Sequence, residues 1–232
     1  AINLAVERSD PTAHIVILNP DTRVRADALH TLLNGLHDPA VGIVAPRLVE
    51  PDGSTQKSLR REPTVLRALG LTRTRLPLLS EYVHDQRAYQ TQTDADWAVG
   101  AALLVRRECF ADLGGWDSSY FLYSEETDFC LRARDRGWLT RLQPTAIVEH
   151  IGGGSGRSAR THTMQVINRV RLYRRRNPPL SSWLYYLVTL LNEATRIIRP
   201  GDRGRSRAAV LALLRPLRRP AELGCSDRLM PC

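Results

Sequence analysis

The chain contains four short apolar runs, and the segments between them limit the possible folds to a few. The runs cover residues 14–18, 41–45, 97–105 and 146–149. Apart from His14 and Glu149 at their ends, the runs are apolar, and short apolar runs are typical of strands that are buried on both faces. Helical spacing is visible between them, at residues 26–37, 107–113 and 125–136. Strands that alternate with helices predict an α/β fold with a mainly parallel sheet.

Polar residues follow several of these runs. Asn19-Pro-Asp21 ends the first run, because proline cannot continue a central strand. His150 follows the last run and precedes the glycines at 152–154, and Gly100 lies inside the third run. Since ligands of such sheets bind beyond the carboxyl ends of the strands, we expect Asp21, Gly100 and His150 to lie near one site.

The Asn19-Pro-Asp21 sequence is a candidate metal site. Asn19 and Asp21 offer oxygen ligands two residues apart, and oxygen ligands favour Mg²⁺ or Mn²⁺, which usually retain waters and bind substrate phosphates. His150 could add a neutral imidazole. Asn-Pro-Asp is also a common turn, and a lone histidine is usually not a ligand, so both alternatives stay open.

Three acidic residues open the helix predicted from residue 125. Glu125, Glu126 and Asp128 follow Ser124, which is a suitable N-cap. Three carboxylates in four residues repel one another, so at least one pKa should rise, and a carboxylate with a raised pKa can act as a general base. The alternative is that the acids only complement the helix dipole.

Positive charge is concentrated at the C-terminal end. Residues 1–156 hold 17 basic and 20 acidic side chains, a net charge of −3, whereas residues 157–232 hold 16 arginines and four acidic side chains, a net charge of +12. Such a segment favours an anionic partner. Nucleic acid is the weakest candidate, because no groove-reading motif or set of stacking aromatics accompanies the charge, and we expect no nucleic-acid partner.

An amphipathic helix is predicted within this basic segment, from Leu180 to Ile198. One face carries Trp183, Leu184, Leu187, Val188, Leu191, Ala194 and Ile198. A second apolar stretch, Ala208 to Leu217, is also bracketed by arginines. This pattern favours a helix at the surface of an anionic membrane. Packing on the catalytic domain or on a second subunit is the alternative.

The four cysteines show neither CxxC pairing nor metal-ligand spacing, which favours a reducing, cytosolic compartment. No charge-free apolar run reaches the length of a membrane span. Together with the basic segment, these features predict a cytoplasmic protein that is peripheral on the inner face of the plasma membrane.

A set of motifs follows in order along the chain: Asn19-Pro-Asp21, Trp97-Ala-Val-Gly-Ala-Ala-Leu-Leu-Val-Arg-Arg107, Phe110-Ala-Asp-Leu-Gly-Gly-Trp-Asp117, residues 120–132, Arg136-Gly-Trp138 and residues 150–155. In this order they resemble the motifs of inverting family-2 glycosyltransferases with the GT-A fold. They are similar to the motifs of bacterial rhamnosyltransferases of cell-wall and O-antigen assembly. The resemblance covers roughly residues 1–176 and implies transfer of L-rhamnose from dTDP-rhamnose, with inversion, to a lipid-linked or polysaccharide acceptor.

The resemblance also implies roles for particular residues. Asp21 and His150 would bind the divalent metal, Mg²⁺ or Mn²⁺, that bridges the donor diphosphate. Glu126 would be the catalytic base, with Glu125 and Asp128 beside it. Substrate would be bound by Asn3, Asn19, Gly100, Arg60 and Trp97, and residues 56–60 would line the same cleft. The family usually has aspartate in place of Glu126, whose extra methylene moves the carboxylate by about one ångström.

The domain organisation follows from the same resemblance. Residues 1–160 would form the catalytic domain, and residues 161–232 a basic helical tail. Residues 1–5 resemble a helix that the family places after two βα units, or about 60–80 residues. We therefore expect a truncated catalytic domain with an exposed sheet edge, which binds donor weakly. An inactive fragment that acts only as a membrane-associated or interaction module is the alternative function.

Overall fold

The structure is a computed structural model, and it describes residues 1–152, 158–214 and 229. Several sequence predictions lie outside these residues: Gly153 and Gly154, the end of the apolar stretch at Leu217, and Cys225 and Cys232. The chain forms two compact units. The first comprises residues 1–62, 82–116 and 126–154, and the second comprises residues 63–81, 117–125 and 155–232.

The first unit is built on one central sheet. Its strands are β1 (Ile15–Leu18), β2 (Thr22–Val24), β3 (Val41–Val49), β5 (Thr93–Ala95), β7 (Ala102–Val105) and β8 (Leu139–His150), and a small second sheet pairs β4 (Leu59–Arg60) with β6 (Trp97–Ala98). The order in the central sheet is β1-β7-β3-β8-β2, with β5 also paired to β8. In the described part of the chain, β1 lies at one edge, where Val16 and Leu18 are exposed.

The sheet is mixed, which corrects the prediction of a mainly parallel sheet. Among the described pairs only β3 and β8 run parallel, while β7 lies antiparallel between β1 and β3. All four residues of β7 are buried. An apolar run reports burial on both faces but not strand direction, and this is why β7 resembles a parallel strand in the sequence.

The third apolar run is not one strand. It divides into β6 and β7, and residues 99–101 interrupt it at Gly100. Conversely, the last predicted strand, residues 146–149, is only the end of the twelve-residue β8. The pairing of β3 with β8 shifts register between Pro46 and Arg47, opposite Pro144, which has no N–H for a ladder hydrogen bond.

Short helices complete the first unit. They are α1 (Ile2–Glu7), α2 (Ala28–Asn34), α4 (Arg107–Asp112) and α5 (Glu125–Asp135). The last residues of α4 lead into Gly114 and Gly115, both with positive φ, as expected for a glycine helix end. The core beneath the helices includes Trp116 stacked on Phe129, with ring centroids 4.9 Å apart.

The second unit is helical. Its helices are α3 (Val65–Ala68), α6 (Ala159–Arg176), α7 (Pro179–Arg196) and α8 (Arg203–Leu213). Tyr173 and Tyr185 stack at its centre with ring centroids 4.0 Å apart. The units thus differ from a division at residue 160, since residues 63–81 and 117–125 group with the C-terminal helices. Among the described residues, no helix is both long and apolar enough to cross a membrane.

Helix α6 holds the segment that precedes α5. Asn168 donates a hydrogen bond to the carbonyl of Leu122 at 2.7 Å, and Arg175 forms an ion pair with Asp117. The fully buried Arg171 donates to Asn168 and places its guanidinium 4.9 Å from the centre of the Tyr120 ring. These contacts fix residues 117–122 just before the acidic helix begins.

Candidate active site

Asp21 and His150 lie together at one end of the central sheet. Strand β2 pairs antiparallel with β8 so that Thr22 is opposite His150, and the N–H of Ile151 donates to the carbonyl of Asp21 at 3.0 Å. The His150 Nε2 atom is 3.5 Å from Asp21 Oδ2. The sheet therefore brings together two of the predicted site residues, although 129 positions separate them along the chain.

Gln56 fixes the orientation of the His150 ring. The hairpin turn at residues 50–55, where Gly53 adopts φ +82°, returns the chain alongside β3 and places Gln56 next to β8. Its Nε2 donates to the His150 carbonyl at 2.9 Å, so its Oε1 faces His150 Nδ1 at 3.0 Å and accepts from it. The proton is thereby held on Nδ1, as is usual for a metal-binding histidine.

This arrangement fits a divalent cation. With its proton on Nδ1, a neutral imidazole directs the lone pair of Nε2 towards the Asp21 carboxylate, and only a proton or a cation makes that approach favourable. Two ligands that are each about 2.1 Å from one ion lie about 3.0–3.4 Å apart, close to the observed distance. Among the described residues, no cluster of three or more histidine, cysteine, aspartate or glutamate side chains could hold a metal ion.

A continuous edge of the first unit connects this pair with Glu126. The N–H of Asn19 donates to the carbonyl of Ala101 at 2.8 Å, next to Gly100. A Cβ atom added to Gly100 would lie 3.1 Å from Cβ of Glu126 and 3.7 Å from its Cδ. Gly100 was expected to let an acceptor approach the backbone, but in the structure the Glu126 side chain lies over it.

The pKa of the Glu125 carboxyl group is raised above its usual range. Burial is the largest cause of the rise, and not the repulsion between carboxylates that the sequence suggested. Its Oε2 atom is buried and makes no hydrogen bond among the described residues. The rise in pKa was thus predicted for the cluster, but its physical cause is different.

Replacing Glu125 with glutamine should stabilise the fold at neutral pH. A raised pKa means that the folded state binds the proton more tightly, so wild-type stability falls as pH rises from the unfolded pKa through the folded pKa. We expect the variant to have the higher urea midpoint at pH 7 and this advantage to shrink below about pH 4, where both states of the wild type are protonated. An advantage that did not change between the two pH values would contradict this assignment.

Asp128 has a different environment from Glu126. Residues two apart point to opposite sides of a helix, and Asp128 is buried with its Oδ2 atom 2.7 Å from Arg132 Nε. Arg132 also donates to the carbonyls of Leu113 and Gly115. Asp128 therefore holds the turn between α4 and α5, which does not support the predicted catalytic role.

Arg60 and Trp97, both predicted to bind substrate, lie side by side. They are directly opposite in the pairing of β4 with β6. The guanidinium carbon of Arg60 is 3.9 Å from the centre of the Tyr82 ring and 5.7 Å from that of Trp97. No local sequence pattern distinguishes Tyr82, because its ring meets Arg60 only through tertiary packing.

Asn3 occupies a structural position. Its Nδ2 donates to the Trp116 carbonyl and its Oδ1 accepts from the Trp116 N–H, both at 2.9 Å. The side chain thus ties α1 to the turn after α4. These bonds favour a structural role for Asn3.

The backbone before α5 is in an uncommon conformation. Tyr123 and Ser124 have φ values of +67° and +72°, which costs roughly 1–3 kcal/mol for each non-glycine residue. Such conformations cluster at functional sites, where surrounding contacts hold them. Ser124 therefore lacks the extended backbone that is typical of an N-cap, and the sequence pattern did not reveal this.

Comparison with known families identifies the class to which this arrangement belongs. The family model described as glycosyl transferase family group 2 matches residues 14–165, about two thirds of the chain. The chain belongs to this family. The matched residues include the strand-end turn, the glycine break, the acidic helix and His150.

Curated relatives include rhamnosyltransferases. The chain is 31% identical over 155 residues to the N-acetylglucosaminyl-diphospho-decaprenol L-rhamnosyltransferase of Mycobacterium tuberculosis, covering 64% of this chain and 50% of that protein. It is 28% identical over 152 residues to the rhamnosyltransferase WbbL of Escherichia coli, covering 62% and 54%. The chain spans about half the length of these relatives.

Among solved structures, the mannosyltransferase PcManGT of Pyrobaculum calidifontis, in complex with GDP-Man and Mn²⁺, matches with a TM-score of 0.48 and 15% identity. The match covers 93% of this chain and 59% of that one.

Proposed function

We propose that this chain transfers a sugar, L-rhamnose from dTDP-rhamnose, to a lipid-linked or polysaccharide acceptor with inversion, in cell-wall or surface polysaccharide synthesis. The observation that carries the proposal is the placement of the Asp21–His150 pair and Glu126 on one connected edge of the first unit. The identity to two rhamnosyltransferases supports the choice of sugar.

In this proposal Asp21 and His150 would hold Mg²⁺ or Mn²⁺, and Gln56 keeps the imidazole in position. A metal bound there would neutralise charge on the departing nucleoside diphosphate. Imidazole is a softer ligand than an oxygen atom, which favours Mn²⁺ over Mg²⁺.

Glu126 is the proposed base. Its carboxylate takes the proton of the acceptor hydroxyl, the hydroxyl oxygen attacks the anomeric carbon, and the bond from that carbon to the diphosphate oxygen breaks. Because the attack comes from the face opposite the leaving group, the configuration inverts. Arg60, with its guanidinium over Tyr82, and Trp97 offer a cationic and aromatic surface for substrate on the same unit.

We place the protein at the inner face of the plasma membrane as a peripheral protein. The net charge of +12 in residues 157–232 supports attraction to anionic lipid. A lipid-linked acceptor, like that in the name of the mycobacterial relative, would be present at such a surface.

The test is release of nucleoside diphosphate by the purified protein. With dTDP-rhamnose, Mn²⁺ and an N-acetylglucosaminyl-diphospho-lipid acceptor, we expect release that requires the acceptor and stops on chelation. UDP-glucose and GDP-mannose serve as matched donors and should react at least about tenfold more slowly. Equal rates for all three donors would contradict the choice of sugar, and release that resists chelation would contradict the metal.

A further inference from the structure

Helix α7 buries one side in the second unit and leaves a row of leucines on its surface. Its buried residues are Ser182, Tyr185, Tyr186, Thr189 and Glu193, and Trp183, Val188 and Leu190 pack against the same hydrophobic cluster. The exposed row, called here the leucine stripe, consists of Leu180, Leu184, Leu187 and Leu191, and each is between 51% and 85% exposed.

The stripe is continuous along the helix. The spacings of four, three and four residues keep all four side chains on one side of the helix over about 17 Å, at 1.5 Å per residue. Single exposed leucines are ordinary, but an aligned row of this kind marks a contact surface. The opposite side already packs within the unit, where Tyr186 donates to the Leu213 carbonyl and Glu193 pairs with His162, so the helix cannot turn its leucines inwards without breaking these bonds.

The charged residues that follow the stripe in the sequence favour an anionic partner. The only acidic residues between 158 and 214 are Glu193, which is buried and paired with His162 and Arg196, and Asp202, which is paired with Arg205. Exposed arginines follow the stripe at positions 199, 203 and 207. A second copy of this chain would bring the same positive charge and be repelled, whereas anionic headgroups would be attracted.

We infer that the leucine stripe of α7 is the membrane-docking surface of this protein: it inserts into the interfacial region of an anionic bilayer, while the arginines that follow contact the lipid headgroups. This inference deepens the peripheral location proposed above and rests on that part of the proposed function, but it does not depend on catalysis. In known interfacial helices the apolar side chains lie below the lipid headgroups, and the basic side chains lie at the level of the headgroups.

The experiment measures binding of the full chain to vesicles by co-sedimentation, without donor or acceptor. The vesicles contain phosphatidylglycerol and phosphatidylcholine, or phosphatidylcholine alone. We expect wild type to bind the anionic vesicles, with binding that weakens as salt rises. The triple variant Leu184→Gln/Leu187→Gln/Leu191→Gln should bind about tenfold or more weakly, and far-UV circular dichroism should show unchanged helix content because these side chains are exposed.

The matched control is Leu71→Gln/Leu76→Gln/Leu78→Gln, which removes three leucines of 46–63% exposure from the same unit. It should bind vesicles within about twofold of wild type. Equal loss in both triple variants would overturn the assignment to α7, as would unchanged binding by the α7 variant. A dimer in sedimentation equilibrium that the α7 variant alone abolishes, without vesicle binding by wild type, would assign the stripe to a second copy instead.

Failure of this inference can be separated from failure of the proposed chemistry. The Glu126→Gln variant should bind vesicles like wild type, and the α7 triple variant should keep its turnover with a water-soluble acceptor. Absence of any sugar transfer, with vesicle binding that still depends on the leucine stripe, would contradict only the chemistry.

Discussion

Replacing Glu126 with glutamine is expected to slow sugar transfer about a thousandfold, because a positioned general base contributes a factor of about 10²–10⁴. Glutamine has nearly the same shape, so it can occupy the space over Gly100 that the glutamate side chain fills. Its amide cannot accept the proton of the acceptor hydroxyl. The measurement is kcat from nucleoside diphosphate release at saturating donor, with KM for the donor expected to change little.

Two further variants make this prediction specific. Glu108→Gln removes an exposed glutamate of α4 in the same unit and should leave kcat unchanged. Glu126→Asp keeps a carboxylate but withdraws it by about one ångström, so we expect an intermediate rate. If Glu126→Gln retained most of the wild-type rate, the base would have to be another group, with Glu125 on the same helix as the next candidate.

The elements of this fold were predictable where one local signal dominated. The run at residues 14–18 is apolar and β-branched and is followed by Pro20, so both the existence of β1 and its end could be predicted. The acidic helix was also predicted within a residue of its observed limits. Strand direction was not, because β7 takes its antiparallel place through pairing with β1 and β3, which lie far away in the sequence.

The candidate site shows the same division. Asp21 and His150 could be selected because each follows a strand, and the structure brings them together through the pairing of β2 with β8. The sequence does not indicate whether a polar side chain faces an open cleft or bonds to other groups of the protein. Asp128 was selected for its place in the acidic cluster and Asn3 from the family resemblance. In the structure Asp128 accepts a hydrogen bond from Arg132, and Asn3 bonds to the backbone of Trp116.

Helix α7 shows what periodicity can and cannot establish. The spacing of its apolar residues predicted one apolar face, but the structure divides the predicted set. Leu184, Leu187 and Leu191 are exposed, whereas Trp183 and Val188 pack against the hydrophobic cluster of the second unit. That outcome depends on Tyr185, Tyr186 and Glu193 finding partners on α6 and α8. Tertiary hydrogen bonds of this kind leave no periodic signal in the sequence.

Replacing Asp21 with alanine is expected to weaken Mn²⁺ binding by more than about a hundredfold and to abolish measurable transfer. Only two protein ligands are proposed, so the substitution removes half of the ligands that the protein supplies. The loss of Mn²⁺ affinity should therefore exceed the usual 10–100-fold effect of an outer-shell change. Mn²⁺ affinity can be measured by titration calorimetry on the chain without donor, so the result does not depend on turnover. Asp27→Ala, an exposed aspartate of the same unit with no side-chain cap bond, is the matched control and should bind Mn²⁺ like wild type.

The variant Gln56→Leu distinguishes a metal site from a simple ion pair between Asp21 and His150. Leucine removes both hydrogen bonds that hold the imidazole, to Nδ1 and to the His150 carbonyl. If His150 is a ligand, Mn²⁺ affinity should fall about 10–100-fold even though Gln56 does not touch the metal. If Asp21 and His150 form only an ion pair, neither Asp21→Ala nor Gln56→Leu would change Mn²⁺ binding, and the metal assignment would be wrong.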